Sequence, residues 1–184
     1  MTTATALGPA VDIGERVIDR ARRGDQEAFA AVIRHYDPGL RALAYRLLGD
    51  RDLMDDVLQE AYVKAFKGLR RFRGDAKLGT WLYRIAYNAC LDELRRSRRD
   101  DELPLTDGLP STSPDPGDVA AGREDLARAL AALPPEERAA VLLVDAQGFD
   151  YRQAAHVLGV PEGTVASRLN RARASLRTAL GTAA

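Results

Sequence analysis

Six polar side chains on one short stretch of this 184-residue chain could read a nucleic acid by hydrogen bonding. They are Ser167, Arg168, Asn170, Arg171, Arg173 and Arg177, within VPEGTVASRLNRARASLRTAL at residues 160–180. Arginine forks onto the two acceptors of guanine in the major groove, asparagine onto adenine, and serine reaches either bases or phosphate. No acid stands between residues 163 and 180 to cancel the charge. To share a face these residues must lie on a helix, and Val165, Leu169, Ala172 and Leu176 recur at i, i+4, i+7 and i+11 as its inward stripe. Pro161 suits the first helical position and Glu162 the positive helix end. Just upstream, FDYRQAAHVLG predicts a short amphipathic helix closed by Gly159. Helix, short turn and helix make a helix-turn-helix, whose second helix would enter the major groove. The bland alternative is a solvated arginine-rich surface helix. Small residues at the turn (Ala154, Ala155, Gly159, Gly163) weigh against it.

Formal net charge is zero, with 27 Lys and Arg against 27 Asp and Glu, yet the charge is segregated. Between Lys64 and Arg99 basic residues far outnumber Asp75, Asp92 and Glu93, whereas residues 100–118 carry six acids and no Lys or Arg. Segregation of this kind makes local electrostatic footprints that a whole-chain sum hides. The single cysteine, Cys90, excludes an internal disulfide. It and the distant His35 and His156 are too few soft ligands for structural zinc. Cys90 is expected to be a small, inert core residue. No Gly-rich phosphate loop, metal cluster or nucleophile–base pair is visible, so neither an enzyme nor a cofactor is expected. The N-terminus lacks the features of a secretory signal, and no segment is long and apolar enough to span a bilayer. A cytoplasmic protein is expected.

Periodicity predicts an all-α chain of two small helical domains joined by a flexible acidic linker. Residues 1–12 read as a tail, 13–99 as the first domain, 100–118 as the linker, 119–180 as the second domain and 181–184 as a second tail. In the first domain, three short helices are expected at Ile13–Arg23, Gln26–Tyr36 and Gly39–Leu48, with Asp37-Pro38 as a break. A longer one follows from Arg51 to Leu69, and another from Thr80, read as its N-cap, to Arg98. The second domain is expected to hold helices at Val119–Leu133, Pro135–Gln147, Tyr151–Leu158 and Pro161–Leu180.

Two further constellations carry chemistry. DLMDDVLQEAYVKAF sets Asp52, Asp55, Asp56, Gln59 and Glu60 opposite an apolar stripe. This is either a solvated face complementing the helix dipole or a dock for a basic protein helix. In TWLYRIAYNACLDELRRSRR, Leu82, Ile85 and Ala89 supply a core stripe, which leaves at least one of Tyr83 and Tyr87, and Trp81, to sit toward the edge beside Arg84, Asn88 and Arg95. Aromatics beside arginines suit stacking on unstacked bases. Gly74 and Gly79 in the preceding loop allow close backbone approach there.

Together these stretches resemble the extracytoplasmic function (ECF) group of bacterial sigma-70-type transcription initiation factors, over Asp25 to Leu180. DDVLQEAYVKAF resembles region 2.2, and FRGDAKLGTWLYRIAYNACLDELRR resembles regions 2.3 and 2.4. ALPPEERAAVLLVDAQGFDYRQAAHVLGVPEGTVASRLNRARASL resembles region 4. The resemblance implies a sigma2-like bundle and a sigma4-like helix-turn-helix. It implies that Asp52, Asp55, Asp56, Gln59 and Glu60 dock on the β′ clamp helices of core RNA polymerase. Minus-ten promoter DNA would be met by Arg73, Asp75, Lys77, Thr80, Trp81, Arg84 and Asn88, with Thr80, Trp81 and Arg84 supporting strand opening. Minus-thirty-five DNA would be met by Thr164, Ser167, Arg168, Asn170, Arg171 and Arg173, while region 4 touches the β flap. An anti-sigma factor is a further implied partner. Ala166, Asn170 and the Gln153-Ala154 pair depart from the usual pattern, which leaves the promoter sequence open. A stand-alone LuxR-type helix-turn-helix regulator is the alternative; against it, the first half lacks the strand–helix alternation of a receiver domain. A purely helical interaction protein would leave the arginine-rich helix unexplained.

Overall fold

The computed structural model describes residues 13–101 and 121–181. The tail at 1–12, the linker beyond Asp101, Val119, Ala120 and residues 182–184 lie outside the described residues. Helices α1 (Glu15–Arg22), α2 (Gln26–Leu48), α3 (Arg51–Leu69) and α4 (Leu78–Asp101) form a first group. Helices α5 (Ala121–Ala131), α6 (Pro135–Val141), α7 (Tyr151–Leu158) and α8 (Glu162–Ala179) form a second. Among the described residues there is no strand, in keeping with the all-α expectation.

The expected break at Asp37-Pro38 does not occur: α2 runs unbroken through Pro38. A proline inside a helix costs about 3 kcal/mol through a lost hydrogen bond and a clash with the preceding turn. Against that, Val32 and Tyr36 before the proline and Leu40, Leu43, Ala44 and Leu47 after it are all buried along one helical stripe. Each large apolar side chain buried contributes about 1.5–3 kcal/mol. A break would rotate one half of that stripe out of the core, so packing outweighs propensity. Tyr62 of α3 then ties the proline turn down by donating its hydroxyl hydrogen to Asp37 at 2.7 Å. Burial and the neighbouring Asp37 carboxylate both push the Tyr62 pKa up, so it stays a donor.

The N-cap assignment of Thr80 is also corrected. α4 begins at Leu78, and the Trp81 amide donates to the Lys77 carbonyl at 3.1 Å, which puts Thr80 inside the first turn. The Thr80 hydroxyl is buried without a hydrogen-bond partner. Lys77 could not be read as a cap because its side chain has no acceptor; here only its backbone serves. Pro161 likewise stands one position outside α8: its carbonyl receives the Thr164 and Val165 amides at 2.9 and 3.2 Å, the role of an N-cap residue. The helix expected to end at Gln147 changes character after Val141, where Leu142–Ala146 form a π-helical turn.

Tyr83 and Tyr87, one of them at least expected at an edge, are both 1% exposed. The stripe inferred from Leu82, Ile85 and Ala89 was one position out of phase: Leu82, Tyr83, Ala86, Tyr87 and Cys90 are the deepest residues, and Ile85 is only half-buried. The second helical group supplies the missing cover. α4 packs against α7, α2 packs against α5 and α6, and the buried side chains of both groups form one continuous core. Burial pushes the Cys90 thiol up to about 12, as an inert core cysteine requires.

Asp25 caps α2, accepting from the Ala28 amide at 3.0 Å and from Arg20 at 2.7 Å. These bonds, the backbone one foremost, hold its carboxyl below the ordinary value of 3.8. A lowered folded pKa gives stability that is fully present above pH 3.8 and is lost as pH falls through the folded value. Urea titrations of wild type and Asp25→Ala should therefore differ at pH 6, with the difference shrinking as pH falls below 3.8.

Candidate nucleic-acid interface

The helix-turn-helix is built from locally encoded parts. Asp150 and Gln153 form a reciprocal capping box at the start of α7, Gln153 Oε1 accepting from the Asp150 amide at 3.1 Å and Asp150 Oδ1 from the Gln153 amide at 2.7 Å. Gln153 thus performs the capping that a glutamate would. α7 stops at Gly159, whose φ of 66° is left-handed and favours glycine. α8 follows, burying Val165, Leu169 and Ala172 as the spacing predicts, with Leu176 half-buried beyond them.

The polar face of α8 is not uniformly free. Asn170 and Ser167 are exposed, the Ser167 hydroxyl donating back to the Thr164 carbonyl at 2.9 Å, and Thr164 is half-buried in the first turn. Arg168 is half-buried on the side toward the first helical group, where its charge acts on the Tyr87 hydroxyl. Arg171 pairs with Glu137 at 3.0 Å. Arg173 grips Asp145 with two nitrogens, at 3.1 and 2.6 Å, and this contact raises its pKa further. Nothing in the sequence pattern points to Glu137 and Asp145 as partners: both lie well upstream in the chain, and no helical periodicity links them to α8.

On α4 the structure brings Trp81, Arg84 and Asn88 into a row at i, i+3 and i+7 on the outward side, Arg84 and Asn88 exposed and Trp81 partly covered by Phe72 at 5.2 Å between ring centres. Arg73, Asp75 and Lys77 are exposed on the loop before it, around Gly74 with φ of 79°. Thr80 is on the opposite, buried side and joins neither set. Gly79 does not offer its backbone to a ligand: a Cβ there would lie 2.7 Å from a Tyr36 ring carbon, so its close approach serves the core.

On α3, Asp52, Asp55, Asp56, Gln59 and Glu60 are all exposed along one flank. Asp55 pairs with Arg41 at 2.5 Å and Glu60 lies 3.9 Å from Lys64. Beside the acids runs an apolar groove between α2 and α3, lined by Phe29, Leu58, Tyr62, Val63 and Phe66. Val63 is 48% exposed, the most exposed of the large apolar residues described.

Two family descriptions match this chain, sigma-70 region 2 over residues 32–100 and sigma-70 region 4 over residues 123–176. The ECF RNA polymerase sigma factor SigM of Mycobacterium tuberculosis is 43% identical over 161 residues, which cover 86% of this chain and 80% of SigM. The chain belongs to the ECF RNA polymerase sigma factors. SigW of Bacillus subtilis, 31% identical over 89% of this chain and 94% of its own length, agrees. Among solved structures, the sigma factor RpoE in complex with the anti-sigma factor NepR from Bartonella quintana superimposes with a TM-score of 0.69 at 29% identity, covering 83% of this chain and 96% of that one. CnrH in complex with the cytosolic domain of CnrY gives 0.70 at 26%, covering 94% and 100%. A stand-alone LuxR-type regulator would not account for the region 2 half. In this sigma factor no described helix is long and apolar enough to cross a membrane.

The Arg173–Asp145 contact joins two partly exposed side chains, so solvent limits its worth to about 1 kcal/mol despite the bidentate geometry. Asp145→Ala should lower the unfolding free energy by no more than that, and urea titrations in low and high salt should show the difference shrinking as salt is added.

Proposed function

We propose that this sigma factor binds core RNA polymerase in the cytoplasm and directs promoter-specific transcription initiation, one helical unit reading the minus-ten element and assisting opening, the other reading the minus-thirty-five element. The observation that carries the proposal is the pairing, in one chain, of a sigma-70 region 2 match bearing the Trp81–Arg84–Asn88 row with a region 4 match presenting the arginine-rich α8. The units are taken as residues 13–99 and 119–180.

In this reading the acidic flank of α3, with Asp52, Asp55, Asp56, Gln59 and Glu60, meets the β′ clamp helices. The apolar groove beside it supports that role, because a charged flank can steer and orient a partner while apolar surface supplies affinity. Asn88 and Arg84 discriminate minus-ten bases with Trp81 as a stacking surface, and Arg73, Asp75 and Lys77 line the adjoining loop. Thr80 acts by position, setting the first turn of α4 rather than touching DNA.

At the minus-thirty-five element Arg171 is the chief base reader, with Ser167 beside it and Thr164, Arg168 and Asn170 completing the surface. Arg171 must leave Glu137 to do so. The Arg171 side chain is 65% exposed but that of Glu137 only 15%, so parting them costs more than the about 0–1 kcal/mol of a fully exposed pair; a good bidentate base contact, about 1–3 kcal/mol, offsets that cost. Arg173, already held by Asp145, contributes mainly by fixing α8. The β flap meets the same unit. The relatives solved with an anti-sigma factor or with CnrY support a comparable protein partner here.

Added to core RNA polymerase lacking any sigma factor, the protein should give specific transcripts from a library of genomic fragments, with two shared motifs upstream of the starts; binding of DNA sites without polymerase and no transcripts would sink the proposal. Asn88→Ala and Arg171→Ala should each cost about 1–3 kcal/mol of promoter discrimination, read as transcript ratios between matched and mismatched promoters. Glu137→Gln, which releases Arg171, should tighten binding of the minus-thirty-five element.

A further inference from the structure

A column of three side chains runs from α1 to the outward row of α4. Arg22, half-buried in the last turn of α1, donates through one guanidinium nitrogen to the Phe72 carbonyl at 2.8 Å, and its guanidinium carbon lies 5.2 Å from the centre of the Phe72 ring. The Phe72 ring in turn meets the Trp81 indole, tilted by 43° with ring centres 5.2 Å apart. The indole also lies against α3, where a Cβ added at Gly68 would come 3.2 Å from Trp81 Cζ2. Arg22 is itself anchored by its neighbours: Ala21 is 2% exposed, and Arg20 pairs with Asp25, the cap of α2, at 2.7 Å. The Arg22 Nε is buried without a hydrogen-bond partner, so the guanidinium is placed for the Phe72 carbonyl and ring at the expense of its own full satisfaction.

We propose that Arg22 is a positioning residue for promoter opening: it holds Phe72, and through Phe72 the Trp81 indole, in the pose that receives an unstacked minus-ten base. The inference rests on the function proposed above and adds to it a residue of α1, which precedes the residues 32–100 that match region 2. A stacking surface assists opening best when it is ordered before the base arrives. An indole free to change rotamer would lose on binding the freedom that a braced one has already given up. Phe72 stands at the head of the loop that carries the left-handed Gly74 and the exposed Arg73, Asp75 and Lys77, so its ring would swing with that loop were its backbone not tied. A charged donor on a backbone carbonyl is a strong tie, and the same cation is drawn to the aromatic ring by its quadrupole. One side chain therefore fixes both the backbone and the ring of Phe72. Arginine suits this double task because its planar fork spreads several donors, whereas the compact ammonium of a lysine serves the carbonyl or the ring less completely. Arg22 touches no base in this scheme and acts solely through Phe72.

Trp81 is the single tryptophan of the chain, so its fluorescence reads the brace directly. In the free full-length protein, Arg22→Gln should raise acrylamide quenching of Trp81 several-fold, with helical content by circular dichroism and affinity for core polymerase unchanged. With polymerase bound, the same variant should slow opening of a duplex promoter on the order of tenfold, within the range that one base–aromatic stack contributes. The loss in transcript yield should shrink to within a factor of about two on a template whose minus-ten strands are already unpaired, because that template needs no unpairing. Arg22→Lys, which keeps the charge, should fall between wild type and Arg22→Gln in both quenching and opening, and it carries the test if the glutamine variant loses helical content. In a Phe72→Leu background Arg22→Gln should add nothing further to either readout, the non-additivity of residues that act through one another. Unaltered Trp81 quenching, opening at the wild-type rate, an equal loss on duplex and pre-opened templates, or additive effects of Arg22→Gln and Phe72→Leu would overturn the brace. Quenching in the free protein needs no transcription, and the wild-type transcript assay alone tests the sigma-factor reading, so the two failures are distinguishable.

Discussion

A phenol hydroxyl shut away from water must find a partner or cost about 1–3 kcal/mol, and Tyr83 finds its partner in the other half of the molecule. Much of the architecture answers to that requirement. With its buried face committed to Tyr83, Tyr87, Ala86 and Cys90, α4 can turn only its remaining surface outward, which is where Trp81, Arg84 and Asn88 lie. α2 must carry a glycine at position 39 to admit the ring, even though glycine is a weak helix former and follows a proline. Burial holds the Tyr83 pKa above its ordinary value, which favours the protonated phenol that donates to Gln147. One hydrogen bond thus sets what α2, α4 and the π-helical turn can each present.

The parts of this fold that were legible from sequence are those encoded within a few residues. α3 has the bounds its apolar stripe predicts, α7 is framed by a capping box and a left-handed glycine, and α8 buries the spaced Val165, Leu169 and Ala172. What was not legible depended on tertiary contact. The continuity of α2 through Pro38 is decided by neighbouring helices that bury both halves of one stripe, against the local preference of the proline. The depth of Tyr83 is decided by cover that includes Gln147, 64 positions away. The same division holds for the site. The arginines of α8 announce themselves by type and spacing, but their partners Glu137 and Asp145 reach them only through the packing of α6 against α8.

Those partners change how the basic surface works. An arginine held by a carboxylate has its rotamers restricted and its charge partly screened before any ligand arrives. Arg173 keeps its acid while Arg171, on a weaker single contact, is the one positioned to exchange. In the proposed function a row of like charges is thereby divided into a supporting member and a reading member, a distinction that charge counting cannot make. The acidic flank of α3 is arranged in the same spirit: Asp55 is balanced by Arg41 and Glu60 lies near Lys64.

The π-helical turn at Leu142–Ala146 works as a phase shifter. Its wider ring, closed by the Gln147 amide on the Leu142 carbonyl at 3.0 Å, accommodates one residue more than an α-turn would, and each residue rotates the chain by roughly 100°. That rotation aims Asp145 at α8 while Gln147 and Phe149 face the first helical group. Chain length, more than side-chain identity, therefore decides which way this segment's contacts point. A one-residue deletion that regularised the helix would leave every local contact type available and turn all of them toward the wrong neighbours.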